Sequence, residues 1–184
     1  MVSSSFYLKN AAAGLLIAVP LVLAVVVLAA VDRARDQPPL IVLSEADGYT
    51  FASGQAEISA DFARQLDEIV ADRIRAEAIA CACSVVEVIG HTDGQLVNTR
   101  SNLDRALGRA VFSGATLSAG SNADLGLMRA WAVVDRLRRH PATRDLRYYG
   151  YSAAQMIQPS GQYASPDDMS DHAERRRIEI RLRR

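Results

Sequence analysis

Hydrophobic and polar residues alternate with three different rhythms along this chain. From Ala11 to Val31 the sequence AAAGLLIAVPLVLAVVVLAAV carries no charged side chain. At 1.5 Å per residue it would span roughly the 30 Å hydrocarbon core of a bilayer, so it predicts a transmembrane helix. Pro20 is compatible with a span, because local adjustments can satisfy the carbonyl that proline frees. A cleaved signal peptide is the alternative, since Lys9 precedes the run and the small residues Ala29 and Ala30 close it. Signals, however, have apolar cores of about 7–15 residues. Residues 1–10 then form a short N-terminus, expected on the cytoplasmic side. Residues 32–39, DRARDQPP, read as a charged linker stiffened by Pro38 and Pro39.

Beyond residue 40 the rhythm shortens. LIVL at 40–43 and the β-branched run SVVEVIG at 84–90 predict buried strands. LRYYGYS at 146–152 predicts a third strand, and RRIEIRLR at 176–183 a fourth, with Ile178, Ile180 and Leu182 on one face and a wet opposite face. Between them the period is helical. Ile58, Phe62, Leu66, Ile69, Val70 and Ile74 mark one amphipathic helix. Leu127, Trp131, Val134 and Leu137 mark a second, with Ser121 and Asn122 as N-cap candidates and Pro141 just past its end. The order β-α-β-α-β-β argues an α+β fold, a two-layer α/β sandwich over 40–184 with an insertion at about 95–120, preceded by the one transmembrane helix. Strands joined through helices should be parallel neighbours or crossovers.

Composition narrows the function classes. The 21 basic and 21 acidic residues balance, so no global field marks a nucleic-acid binder. Cys81 and Cys83, in IACACS, are too few for a disulfide framework and lack accompanying metal ligands. They are expected to be buried free thiols, since a bond between them would close a very small ring. His91 lies two residues before Asp93, but no nucleophile motif accompanies the pair. No catalytic residue, metal or cofactor is expected.

Four stretches carry a resemblance: Phe51-Ala52-Ser53-Gly54-Gln55-Ala56-Glu57-Ile58, Gly90-His91-Thr92-Asp93, Asn122-Ala123-Asp124-Leu125-Gly126-Leu127-Met128-Arg129-Ala130, and Arg176-Arg177-Ile178-Glu179-Ile180. In order and position on the predicted elements they resemble the OmpA-like peptidoglycan-binding domain, shared by outer-membrane anchoring proteins, peptidoglycan-associated lipoproteins and MotB-type stator subunits. The resemblance runs from about Leu40 to Leu182. It implies a non-catalytic domain that grips the free amino acid end of diaminopimelate in a peptidoglycan stem peptide. Asp93 matches the family aspartate that takes the ammonium, and Arg129 the arginine that takes the carboxylate. Asn122 and Thr92 would support them by hydrogen bonding. The chemistry is sound on its own terms, because a zwitterion needs a carboxylate and a guanidinium, and arginine's planar fork gives two directed bonds.

The sequence departs from the family in the long spacing between Asp93 and Asn122, and at Arg175, where the family commonly has asparagine or aspartate. Within the insertion, Ser101 to Ala110 echoes Ser121 to Ala130, which makes Arg109 a rival to Arg129. Arg129 is favoured because its helix leads through Pro141 to the next strand. Read without the resemblance, Asp93-Gly94 would be a turn and Arg129 a helix-surface charge.

Together these features imply a single-pass protein of a bacterial inner membrane, its C-terminal domain in the periplasm, tethering the membrane or a membrane complex to peptidoglycan. The alternatives are a MotB-like accessory subunit working with a MotA- or ExbB-type partner, or an OmpA-like fold that has lost its ligand. The first alternative is weakened because the apolar run contains no aspartate, and Asp32 stands only at its boundary. Expected partners are peptidoglycan, the membrane, and a membrane protein or a second copy of the chain, with no nucleic acid.

Overall fold

The computed structural model describes residues 40–104 and 117–184. The predicted transmembrane helix, the 32–39 linker and residues 105–116 of the insertion, Arg109 among them, lie outside the described residues. Among the described residues no helix is long and apolar enough to cross a membrane.

The described residues belong to one compact unit. Strand β1, Leu40–Ser44, runs into a single 3-10 turn at Glu45–Asp47 and then into an irregular crossing in which Phe51 bridges Ile58. Helix α1 follows, from Ala60–Gln65 through a π-helical Leu66–Val70 to Ala71–Cys81. Strand β2 is Val85–His91, helix α2 Asn122–Leu137, strand β3 Arg147–Ala154 and strand β4 Arg177–Arg183. The sheet order is β1-β4-β2-β3. β2 and β3 pair in parallel through α2, while β4 lies between β1 and β2 and is antiparallel to both. β1 and β2 are therefore parallel across one intervening strand, so each strand–helix–strand unit is a crossover.

The helices cover one face of the sheet. Ile41, Leu43, Val86, Val88, Ile178, Ile180 and Leu182 supply the sheet side of the core, against Phe62, Leu66, Val70 and Ile74 of α1 and Val133, Val134 and Leu137 of α2. Tyr49 and Phe51 meet Phe62 edge to face, with ring centroids 5.4 and 5.2 Å apart. Such pairs contribute about 0.5–1.5 kcal/mol each beyond area burial.

The π turn has a visible cause in the sequence. Phe62, Leu66, Val70, Ile74 and Ala78, all buried, recur every fourth residue, which in a regular α-helix drifts about 40° per step around the axis. One wide turn swings the stripe back toward the sheet. It also turns Ile69 away. Expected on the buried stripe, Ile69 is 57% exposed.

Two further expectations are corrected. Cys81 and Cys83 are not free thiols but a disulfide, with Cα atoms 5.2 Å apart. Ala82 caps α1 in the left-handed region at φ 54, and that reversal brings the flanking side chains together. β4 is not wet along its whole outer face, because Arg177 and Glu179 are buried. The excursion between β3 and β4 folds over them, and the Ile157 and Gln158 carbonyls accept bonds from Arg177 at 3.3 and 3.2 Å.

Candidate functional site

Four chain segments end at the same edge of the domain. The register pairs Ser44 with Arg177 and Arg177 with His91, so the end of β1, the start of β4 and the end of β2 lie side by side. Helix α2 begins beside them. Ser121 is its N-cap, extended at φ −155, and its hydroxyl accepts from the Asp124 amide. The helix can approach β2 this closely because Gly90 and Gly126 face each other. A Cβ on Gly90 would collide with the Gly126 carbonyl, and one on Gly126 would stand 2.8 Å from the Gly90 oxygen.

An open cleft of about 390 Å³ sits at this edge, lined by Asp93, Thr92, Asn122 and Arg129 among others. The structure thus brings together all four residues singled out in the sequence. Asp93 is buried just beyond β2. One of its oxygens accepts from the Gln95 amide at 3.2 Å and the other pairs with Arg176. Its loop is held from several sides: Thr92 N–H donates to Ala154, Gly94 N–H to Ser170, and Asn122 Nδ2 to the Gln95 carbonyl at 2.9 Å. Asn122 therefore acts on the loop's backbone rather than on Asp93 itself. Thr92 is 1% exposed, and its hydroxyl has no partner among the described residues. A buried hydroxyl without a bond is unfavourable by about 1–3 kcal/mol, a cost that a ligand group could remove.

Arg129 is not a helix-surface charge. It is 4% exposed, with Nε donating to the Gln55 carbonyl at 3.0 Å and one Nη 3.5 Å from that of Ala52. Its guanidinium stacks 5.0 Å above the Phe51 ring centroid. The irregular stretch between β1 and α1 is therefore a cradle for this arginine. Burial draws its pKa below the ordinary guanidinium value, while the nearby Glu45 and Asp93 carboxylates oppose that shift. It remains charged at any physiological pH, aimed at the same cleft as Asp93 and prevented from collapsing by its backbone anchors.

The residue that sequence reasoning passed over is Arg176. It forms ion pairs with Glu45, Asp93 and Asp171 at once. Burial disfavours its charge, but the hydrogen bonds it donates to Asp171, Glu45 and Asp93 outweigh that and raise its pKa. The same contact to Arg176 draws Asp171 below the usual carboxylate range. Arg176 was legible in the sequence only as one of two paired arginines. Glu45 and Asp171, 131 and 5 residues away from it, carried no signal at all.

Arg175, the other departure from the family pattern, serves the excursion instead. It is 1% exposed and bonds Asp168 at 2.7 Å and the Gln155 carbonyl at 2.8 Å. Asp168 also contacts the cleft loop, since its carbonyl fills the space a Cβ on Gly94 would need. On the outer face, His91 Nε2 lies 3.3 Å from Glu179, and Arg177 donates to the same carboxylate at 3.1 and 2.9 Å. His91, buried and facing away from the cleft, is not available as a base there. Among the described residues no cluster of side chains could hold a metal ion.

A mixed four-stranded sheet with two helices on one face and a charged cleft at the strand ends defines this as an α+β domain. The chain is similar to the periplasmic domain of Helicobacter pylori MotB, at 18% identity over 80% of this chain and 77% of that one, with a TM-score of 0.47. It is also similar to a MotB-like protein from Desulfovibrio vulgaris, at 15% identity over 79% and 74%, TM-score 0.48, and to the OmpA-like domain of FopA1 from Francisella tularensis, at 16% over 80% and 84%, TM-score 0.38. No family model and no curated protein matches the chain. At these similarities no residue role passes from those structures to this one.

Proposed function

We propose that this domain binds peptidoglycan without turning it over, holding the zwitterionic end of a diaminopimelate stem peptide between Asp93 and Arg129. The observation that carries this reading is the pairing of two buried opposite charges, 36 positions apart in sequence, on one open cleft. Arg129 is held by its backbone bonds and by Phe51, and its remaining Nη is available for a ligand carboxylate. Asp93 and Thr92, whose hydroxyl has no partner among the described residues, line the same cleft. This arrangement suits the ammonium and carboxylate of an amino acid.

Together with the apolar run at 11–31, this makes the protein a membrane-anchored periplasmic tether. Purified sacculi should retain the wild-type domain and release Asp93→Ala and Arg129→Ala. Equal retention of all three would reject the assignment. The loss-of-ligand reading draws on the ion pair between Asp93 and Arg176, and direct titration with a diaminopimelate-containing tripeptide separates it from binding.

A further inference from the structure

Building on the peptidoglycan reading of the cleft, we infer that Arg176 is an internal competitor for Asp93, a tethered cation that the ligand's ammonium must displace. The geometry supports this in three ways. First, Arg176 already occupies the Asp93 oxygen that the Gln95 amide leaves open. Second, the guanidinium is held by more than Asp93: its Nε bonds Glu45 and its Nη1 also bonds Asp171, so it can leave Asp93 without leaving the cleft. Third, the two guanidinium groups of Arg129 and Arg176 share the cleft with three carboxylates, Glu45, Asp93 and Asp171, so that when Asp93 passes to the ligand's ammonium Arg176 still pairs with the other two.

Arg129 cannot play this part, because its bonds run to backbone carbonyls rather than to Asp93. Binding is thus an exchange of one ion pair for another. The gain is the difference between two similar interactions rather than the full strength of one, and the grip is readily reversible. Without ligand, Arg176 keeps the buried Asp93 carboxylate from standing unpaired.

The test titrates the full chain by calorimetry with a diaminopimelate-containing tripeptide, and with the same peptide lacking the distal ammonium. Arg176→Gln is expected to bind the first peptide roughly tenfold more tightly than wild type and to leave the second unchanged. Glu45→Gln removes a partner that retains the displaced guanidinium and is expected to weaken binding of the first. In the unmodified protein, the Arg176 side-chain NMR signal should move on saturation with the first peptide only, which covers the case of an Arg176 variant that does not fold.

Binding that depends on Asp93 but is weakened by Arg176→Gln overturns the exchange and leaves the peptidoglycan assignment standing. So does an Arg176 signal that stays fixed at saturation. Binding indifferent to Asp93→Ala overturns both.

Discussion

Arg175, Arg176 and Arg177 are neighbours in sequence with three different surroundings. Arg176 faces the cleft, while Arg175 and Arg177, alternating to the other side, hold the excursion and the buried Glu179. Glu179 has the clearest pH signature. His91 and Arg177 outweigh the effect of burial and draw its pKa from 4.5 to about 2. A carboxylate with a depressed folded pKa stabilises fully above its unfolded value, and that contribution fades as pH falls from about 4.5 toward 2. Glu179→Gln should therefore cost roughly 2–3 kcal/mol at neutral pH and flatten the stability profile between those limits, as checked by urea midpoints at stepped pH. Thr92 gives the opposite kind of prediction. With no partner for its hydroxyl, Thr92→Val should leave the thermal midpoint unchanged or raised. The same substitution should weaken peptide binding several-fold in calorimetry, and unchanged affinity would remove the hydroxyl from the site.

Among elements, the contact between α2 and β2 decides whether a cleft exists. Its spacing is set by two glycines, so Gly90→Ala has no flexible side chain to push aside, only the Gly126 carbonyl. Overpacking of this kind costs about 1–3 kcal/mol. The shift would separate the loop carrying Asp93 from the helix carrying Arg129. The variant should lower the denaturation midpoint and reduce peptide affinity together, whereas a loss of stability with unchanged affinity would show that the glycine contact does not position the site. The insertion bears on the other side of α2, where Leu103 and Ala119 pack against Leu125 and Met128. A helix expected to show one apolar stripe is consequently buried on two sides.

Over the whole molecule, the Cys81–Cys83 disulfide closes a loop of very short span at the end of α1, opposite in sequence to the cleft-forming end of β2. Because loop-closure entropy grows with loop length, its removal should cost only about 1–2 kcal/mol. A Cys81→Ser, Cys83→Ser double variant should retain peptide binding, with a modest fall in thermal midpoint in calorimetric scans. Loss of folding would show that the bond does more than restrain its own turn.

The alternation of apolar and polar residues determined the elements and their order, because a strand buries every second residue and a helix every third or fourth, and these periods are local. It did not by itself single out Asp93 or Arg129, which the local pattern makes a turn residue and a helix-surface charge and which drew attention only through the resemblance of the stretches that carry them. Tertiary structure alone decided the rest. That β4 inserts between β1 and β2, that Arg176 meets Glu45 across 131 positions, and that Arg129 rests on Phe51 all follow from packing between distant segments, which leaves no periodic trace. The same is true of the outer face of β4, where a strict alternation predicted water and the β3–β4 excursion supplies carbonyls instead. Local pattern fixes what each segment can bury, whereas the partner of a buried charge is chosen only when the sheet closes.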